Sequence, residues 1–434
     1  MRTVLPRCVT FGLLLCASIG LATAAPVPAG VSDEQLKERA LQLNELTTTK
    51  AMDEKLVEVG KQKDVAKRLV KIAEKMHKDA KGNDKPFKFN AAIVLGKAAQ
   101  NVKEYSIADT FYSFSVDNAL KLQSGSKLAL AYSSLLDLKW DQKEYAEVEA
   151  LAMKMLESDI PGKEMDGAKS LGIERMIQAK ALRGDTDEAL RIVNNLMALD
   201  KNGWYALTLK GFVQRQARKY DDAIETYNEV LARVAKDEKL DEKIKKNVTL
   251  NTRYLLTGVY VDNNKVEKAA ELLQGLIKDE PDSATYYNDL GFIWADNDMK
   301  LEESEKLIRK ALELDEKARK KLLEEGKIDK TTADQANAAY LDSLGWVLYK
   351  NKKYKEAKKN LMEAVKDDDE GAHLEIWDHL ADTHVALGET KEAVDIWLKA
   401  LKFEDVSKRD AERRKKITEK LNKARAELKK KEAK

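Results

Sequence analysis

The sequence predicts an all-α protein built as a stack of helix hairpins, and three observations carry that reading. The composition is 35% charged and only 6% aromatic, with six prolines in 434 residues, which suits long helical stretches. Apolar residues recur at spacings of three and four, the period of one helix face. The outline of one such helix pair returns along most of the chain.

The chain opens with MRTVLPRCVTFGLLLCASIGLATAAPVPAG. Arg2 and Arg7 precede an apolar run from Cys8 to Ala22, and the small residues of ATAA follow. A positive start, a short apolar core and an A-x-A-like site predict a secretory signal peptide over 1–25. The run is short for a membrane span, and no later stretch is apolar enough for one. The mature chain is therefore expected outside the cytoplasm, periplasmic or secreted, with no transmembrane anchor. Cys8 and Cys16 are the only cysteines, and both lie in the leader. That excludes disulfides, thiolate metal sites and cysteine nucleophiles from the mature chain.

Residues 26–85 are expected to form a helical hairpin that caps the stack. Ser32 and Gln35 make a capping-box pattern, opening a helix with Leu36, Ala40 and Leu43 on one side. A second helix carries Val65, Leu69, Ile72 and Met76. Of the prolines beyond the leader region, Pro86, Pro161 and Pro281 are expected in gaps between helices.

The segment 341–364, LDSLGWVLYKNKKYKEAKKNLMEA, displays the repeating unit. Leu341, Leu344 and Leu348 share one face of its first helix, and Tyr354, Ala357, Leu361 and Ala364 share one face of the second. Asn351 tolerates the left-handed conformation that ends helices. Gly345 is costly in mid-helix, so its value is expected to be close packing against Ala357. Aligning the small residue near the start of each second helix gives Ala108, Val148, Ala189, Ala223, Ala269, Ser304, Ala357 and Ala393. The successive gaps are 40, 41, 34, 46, 35, 53 and 36 residues. A lone hairpin cannot bury its apolar face, so neighbours must cover it.

These features resemble the tetratricopeptide repeat (TPR) family over residues 86–405. The likeness is strongest in YYNDLGFIWADNDMKLEESEKLIRKALELDE, YLDSLGWVLYKNKKYKEAKKNLMEAVKDDD and IWDHLADTHVALGETKEAVDIWLKALKFED. The last three units are similar to a recurring bacterial arrangement. The resemblance implies a right-handed α-α superhelix, a TPR solenoid of about eight hairpins with capping helices at both ends. Earlier units depart from the pattern: Val148 replaces the small alanine, and RMIQAKALRGDTDEA lacks the Leu-Gly pair. Charged insertions interrupt the array at 236–247 and 317–337, each expected to extend a second helix before a loop.

Residues 406–434 are expected to form a basic C-terminal capping helix, with Ile417, Leu421, Ala424 and Leu428 as its apolar stripe. That segment sums to +8, the leader to +2 and the whole chain to +2, which leaves residues 26–405 at −8.

Catalytic motifs do not emerge. The sequence has no G-x-S-x-G elbow, no phosphate-binding glycine loop and no paired zinc ligands. His379 and His384 are five residues apart, about 140° around a helix, so they do not share a face. No enzyme activity, cofactor or metal is expected.

The TPR resemblance places function on the concave groove lined by first helices. Carried over unit by unit, it nominates Tyr205, Thr208, Phe212 and Arg215, then Asn251, Tyr254 and Asp262. Asn288, Phe292 and Asp296 follow, then Asp342, Trp346 and Tyr349, and lastly Glu375, Asp378 and Asp382. Rings supply contact area, amides bind backbone and carboxylates select cations, so the expected partner is a neutral to basic protein or extended peptide. The family's clamp for acidic C-termini is not expected here, because aspartates stand at those positions, and no nucleic acid is expected. A second reading is an envelope tether, in which the basic C-terminal helix engages anionic polymer or a membrane surface.

Overall fold

The computed structural model describes residues 31–432, apart from 61, 81–84, 201–202, 368–370 and 404–407. The signal peptide expected over residues 1–25 lies outside the described residues. Every regular element among the described residues is helical. The chain forms two compact units, one of described residues up to Leu196 and one from Met197 onward.

In the first unit, α1 (Asp33–Gln42) is followed by a short 3-10 turn, α2 (Thr49–Gly60) and α3 (Lys63–Asp79). Ser32 and Gln35 cap α1 reciprocally: the Gln35 N–H donates to Ser32 Oγ, and the Ser32 N–H donates to Gln35 Oε1. Leu36, Ala40 and Leu43 are buried, as their spacing predicts. Helix α2 is an addition to the two helices expected in this region. Hairpins follow: α4 (Phe89–Asn101) with α5 (Tyr105–Lys121), and α6 (Gly125–Asp141) with α7 (Tyr145–Glu157). Next come α8 (Lys163–Arg183) and α9 (Thr186–Leu199), the latter reaching the unit boundary.

The second unit starts its hairpins with α10 (Tyr205–Gln216) and α11 (Tyr220–Lys236), then α12 (Glu242–Asp262) and α13 (Val266–Asp279). Then come α14 (Ala284–Asp296) and α15 (Leu301–Glu324), and the short α16 (Lys330–Asp334). The last hairpins are α17 (Ala338–Lys350) with α18 (Tyr354–Ala364), and α19 (Leu374–Ala386) with α20 (Thr390–Ala400), before α21 (Lys408–Glu432). Pro86, Pro161 and Pro281 all fall between helices.

The eight aligned seam positions are Ala108, Val148, Ala189, Ala223, Ala269, Ser304, Ala357 and Ala393, and each is 0% exposed. Small size lets the second helix sit close to its own first helix, and Ser304 adds a hydrogen bond from its hydroxyl to the Gly291 carbonyl. The close approach at Gly345 has a different partner from the expected one. A Cβ on Gly345 would lie 2.4 Å from Leu361 Cγ, so Leu361, one turn past Ala357, fills the glycine notch. Gly211 receives the Tyr227 ring, and Gly291 receives Ile308, in the same way. The seam is thus a paired device: a small residue, then a large one a turn later aimed at a first-helix glycine.

Each hairpin turn also holds a residue in the left-handed region, among them Lys103 (φ 60°), Arg218 (φ 60°), Asn264 (φ 54°) and Lys352 (φ 61°), and the α14–α15 turn holds two, Asp298 (φ 55°) and Lys300 (φ 44°). In the 341–364 unit that residue is Lys352, not Asn351, whose φ is −76°. The left-handed residue follows the cap, where its N–H and the next turn back onto the last helical carbonyls of Leu348 and Tyr349.

At the first charged insertion, α11 ends at Lys236 and Asp241 caps α12 by accepting from the Lys243 and Ile244 N–H groups. At the second, α15 continues to Glu324 and α16 folds beneath it. Arg319 ties the two, donating to Asp315 Oδ2 at 2.9 Å and to the Ala333 carbonyl.

A polar ladder on the first helices

In the second unit the residues nominated from the sequence lie on α10, α12, α14, α17 and α19. Each step from one first helix to the next is joined by a polar tie. Arg215 Nε donates to Asp262 Oδ2 at 2.6 Å, linking α10 to α12. Tyr254 OH donates to Asp289 Oδ2 at 2.7 Å, linking α12 to α14. The Trp346 indole N–H donates to Asp296 Oδ1 at 3.2 Å, linking α17 to α14. His379 Nδ1 lies 2.8 Å from Asp342 Oδ1, linking α19 to α17. Finally Lys420 of α21 donates to Asp378 at 2.9 Å and to Asp382 at 2.6 Å.

The sequence expectation that Asp342, Asp378 and Asp382 select a basic partner meets a competing use within the chain. Asp342 and Asp378 are each 6% exposed and already paired. Asp378 accepts from the Trp397 indole N–H as well as from Lys420. Arg413 lies 2.6 Å from Glu375, so α21 meets every nominated carboxylate of α19. The cation is supplied by Lys420 of α21, the basic capping helix two helices beyond α19.

The electrostatics follow from this crowding. Burial pulls His379 down, but the Asp342 carboxylate and its hydrogen bond overcome it and leave the imidazole above its ordinary value. Asp382 is raised by burial and by the neighbouring Asp378 charge, which Lys420 only partly offsets. Lys420 is itself held above the usual lysine value, since the two aspartates outweigh its burial. Asp289 is also raised by burial, against the opposing hydrogen bonds from Tyr254 and Asn288.

Trp346, nominated for the groove, is partly accessible and packs against its neighbours. It stacks on His379 at 4.1 Å with a 12° tilt and on Tyr349 at 5.0 Å with a 6° tilt. Lys350 Nζ stands 5.1 Å from its ring centre. Trp346 and Tyr349 therefore work as a wedge within the α17 seam. Asn288 is buried, Tyr205 stands edge-on to Trp204, and Phe212 and Phe292 remain half-buried. At the far rim, Arg218 in the α10–α11 turn lies 2.5 Å from Glu412 of α21, so the second unit curves back on itself.

The first unit uses a similar device where the sequence reading nominated nothing. Gln100 of α4 donates to Asp141 of α6 at 2.6 Å, and the Arg175 guanidinium of α8 stacks 4.4 Å from the Trp140 ring centre. Burial raises Asp137 beside it, with Arg175 opposing. Among the described residues, no three His, Cys, Asp or Glu side chains converge as a metal site, and no helix is long and apolar enough to cross a membrane.

Helices paired in succession, with small seam residues and a left-handed turn in each hairpin, define the TPR solenoid fold. Residues 259–319 match the tetratricopeptide repeat family. The yeast Tom70 crystal structure matches with a TM-score of 0.51 at 14% identity, covering 92% of this chain and 80% of that one. A monomeric mutant of IFIT1 solved with m7Gppp-AAAA matches with a TM-score of 0.50 at 16% identity, covering 93% and 88%. A thermophilic TPR protein from Thermus thermophilus aligns over 50% of this chain and 99% of its own, at 17% identity and a TM-score of 0.37. These likenesses concern the fold. No curated protein matches the sequence significantly.

Proposed function

We propose that the protein is a non-enzymatic interaction scaffold, and that an extended segment of a partner protein lies along the first-helix face of the second unit. The observation that supports this reading is how that face is apportioned. Its carboxylates are engaged in ties between helices, while Phe212, Asn251 and Phe292 remain partly accessible on successive first helices. Half-buried rings offer apolar area on a rigid base, and an amide can pair with an extended backbone. The occupied state of Asp342, Asp378 and Asp382 favours a neutral segment over a basic one. The arginine-flanked apolar leader supports export, so the partner is to be sought in the cell envelope or among secreted proteins.

Site-specific photocrosslinking tests the reading. A photoreactive residue at Phe292 or Asn251 is expected to trap one partner in the native envelope. The same probe at Met362, exposed on the second helix α18, is expected to trap none. Equal trapping from both positions rules the inner face out as the binding surface.

A further inference from the structure

Helices α1 and α2 both connect to α3, but α1 packs on α3 while scarcely touching α2. A cavity of about 360 Å³ lies among the three helices. The sequence of α2 accounts for the gap. It buries Met52 alone, and Val59, two turns further along the same face, is left half-buried beside the cavity. Val65 and Leu69 of α3, with Leu36 and Leu43 from the α1 side, supply the rest of the apolar lining.

The charged side chains that reach the cavity are Arg39, Lys55 and Glu58. Lys55 Nζ stands 2.9 Å from both carboxylate oxygens of Glu58, so that pair cancels its own charge. Arg39 makes no ion pair among the described residues. Its acidic neighbours on α1 are engaged elsewhere, Glu34 with Lys37 and Asp33 with Arg68. The cavity therefore joins apolar walls to one uncompensated guanidinium.

Size and wall chemistry select the occupant. One turn of α-helix with its side chains fills about 420 Å³, so a helix does not fit. The walls are helices, which offer no strand edge to an extended peptide. A peptide backbone would bury its polar groups unpaired against leucine and valine, at a cost that a hydrocarbon tail does not carry. A carboxylate head matches the two-pronged geometry of the Arg39 guanidinium.

We propose that this cavity binds a single-chain aliphatic carboxylate, its tail among α1, α2 and α3 and its head on Arg39. The site belongs to the first unit and is independent of the scaffold reading.

The test uses the full mature chain and isothermal titration calorimetry with hexanoate, octanoate and decanoate, each below its micelle concentration. Affinity is expected to rise about fourfold for each methylene added. Arg39→Gln is expected to weaken octanoate binding about tenfold and to leave 1-octanol binding unchanged, because only the charged head loses its partner. Val59→Trp fills the space from the α2 side and is expected to abolish octanoate binding. Val57→Trp, at an exposed position of the same helix, is expected to bind as the parent does. Arg39 is exposed, so its variant keeps the test readable should Val59→Trp fold poorly. Affinity indifferent to chain length, equal loss of octanoate and 1-octanol in Arg39→Gln, or equal loss in the two tryptophan variants overturns the proposal. So does tighter binding of trileucine than of octanoate, since that assigns the cavity to a peptide end.

Discussion

His379 and Asp342 meet across the seam between α17 and α19, with Nδ1 and Oδ1 2.8 Å apart and both side chains buried. Trp346 lies flat against the imidazole at 4.1 Å, so the pair is shielded on that side by an aromatic face. Glu375 and Asp378 add to the pull of Asp342 and help hold His379 above its ordinary value. A histidine raised on folding stabilises fully below its unfolded value, about 6.5, and that contribution is lost as pH climbs through the folded value. The melting temperature is therefore expected to fall between pH 6 and 8.5, and the slope to flatten in His379→Asn. Asp342→Asn removes the carboxylate that holds His379 up, so the buried imidazole gives up its proton, and the change is expected to cost about 2 kcal/mol at pH 6, measured by urea unfolding. A parent protein whose stability is flat over this range contradicts a charged pair here.

The glycine notch makes a prediction against helix propensity. Alanine at Gly345 should favour the helix by about 1 kcal/mol on propensity alone. With Leu361 Cγ 2.4 Å from the added Cβ, Gly345→Ala is instead expected to destabilise by about 2 kcal/mol. Combining it with Leu361→Ala should cost less than the sum of the single changes, with a coupling of about 1 kcal/mol. Additive effects would show that the notch and Leu361 are not partners.

Lys420 and Lys423 stand three residues apart on α21 and offer a matched comparison. Lys420→Met strips the cation from Asp378 and Asp382 and is expected to cost about 3 kcal/mol. Lys423 faces water, so Lys423→Met should change stability by less than about 0.5 kcal/mol. Amide exchange in α21 reads the difference locally, with faster exchange expected in the first variant alone. Similar exchange in both would mean that the apolar stripe, not the ion cluster, holds the helix.

What the sequence made legible was whatever repeats within a hairpin. The apolar spacing placed Leu344, Leu348, Leu361 and Ala364 inside, and the eight seam residues were found by aligning one small side chain. Relations between hairpins were harder to read. Asp342 and His379 are 37 residues apart, and Arg215 and Asp262 are 47, so their pairing depends on how successive hairpins stack. No local period announces such a pair, which is why Asp342, Asp378 and Trp346 read as free binding groups. The left-handed turn residue was misplaced by one position because asparagine tolerates that conformation, yet lysine occupies it here. Helix α2 lacked a strong apolar stripe, with Met52 its one buried residue, and so gave little to read.

The most direct test of the account separates binding from folding on the first-helix face. Phe212→Ala with Phe292→Ala should leave the ladder ties between first helices in place, since neither ring takes part in them. The measurement is affinity of this double variant for the partner trapped by photocrosslinking, with its melting curve recorded alongside. The account predicts at least a tenfold loss of affinity with cooperative unfolding retained, and unchanged affinity in a folded double variant would contradict it.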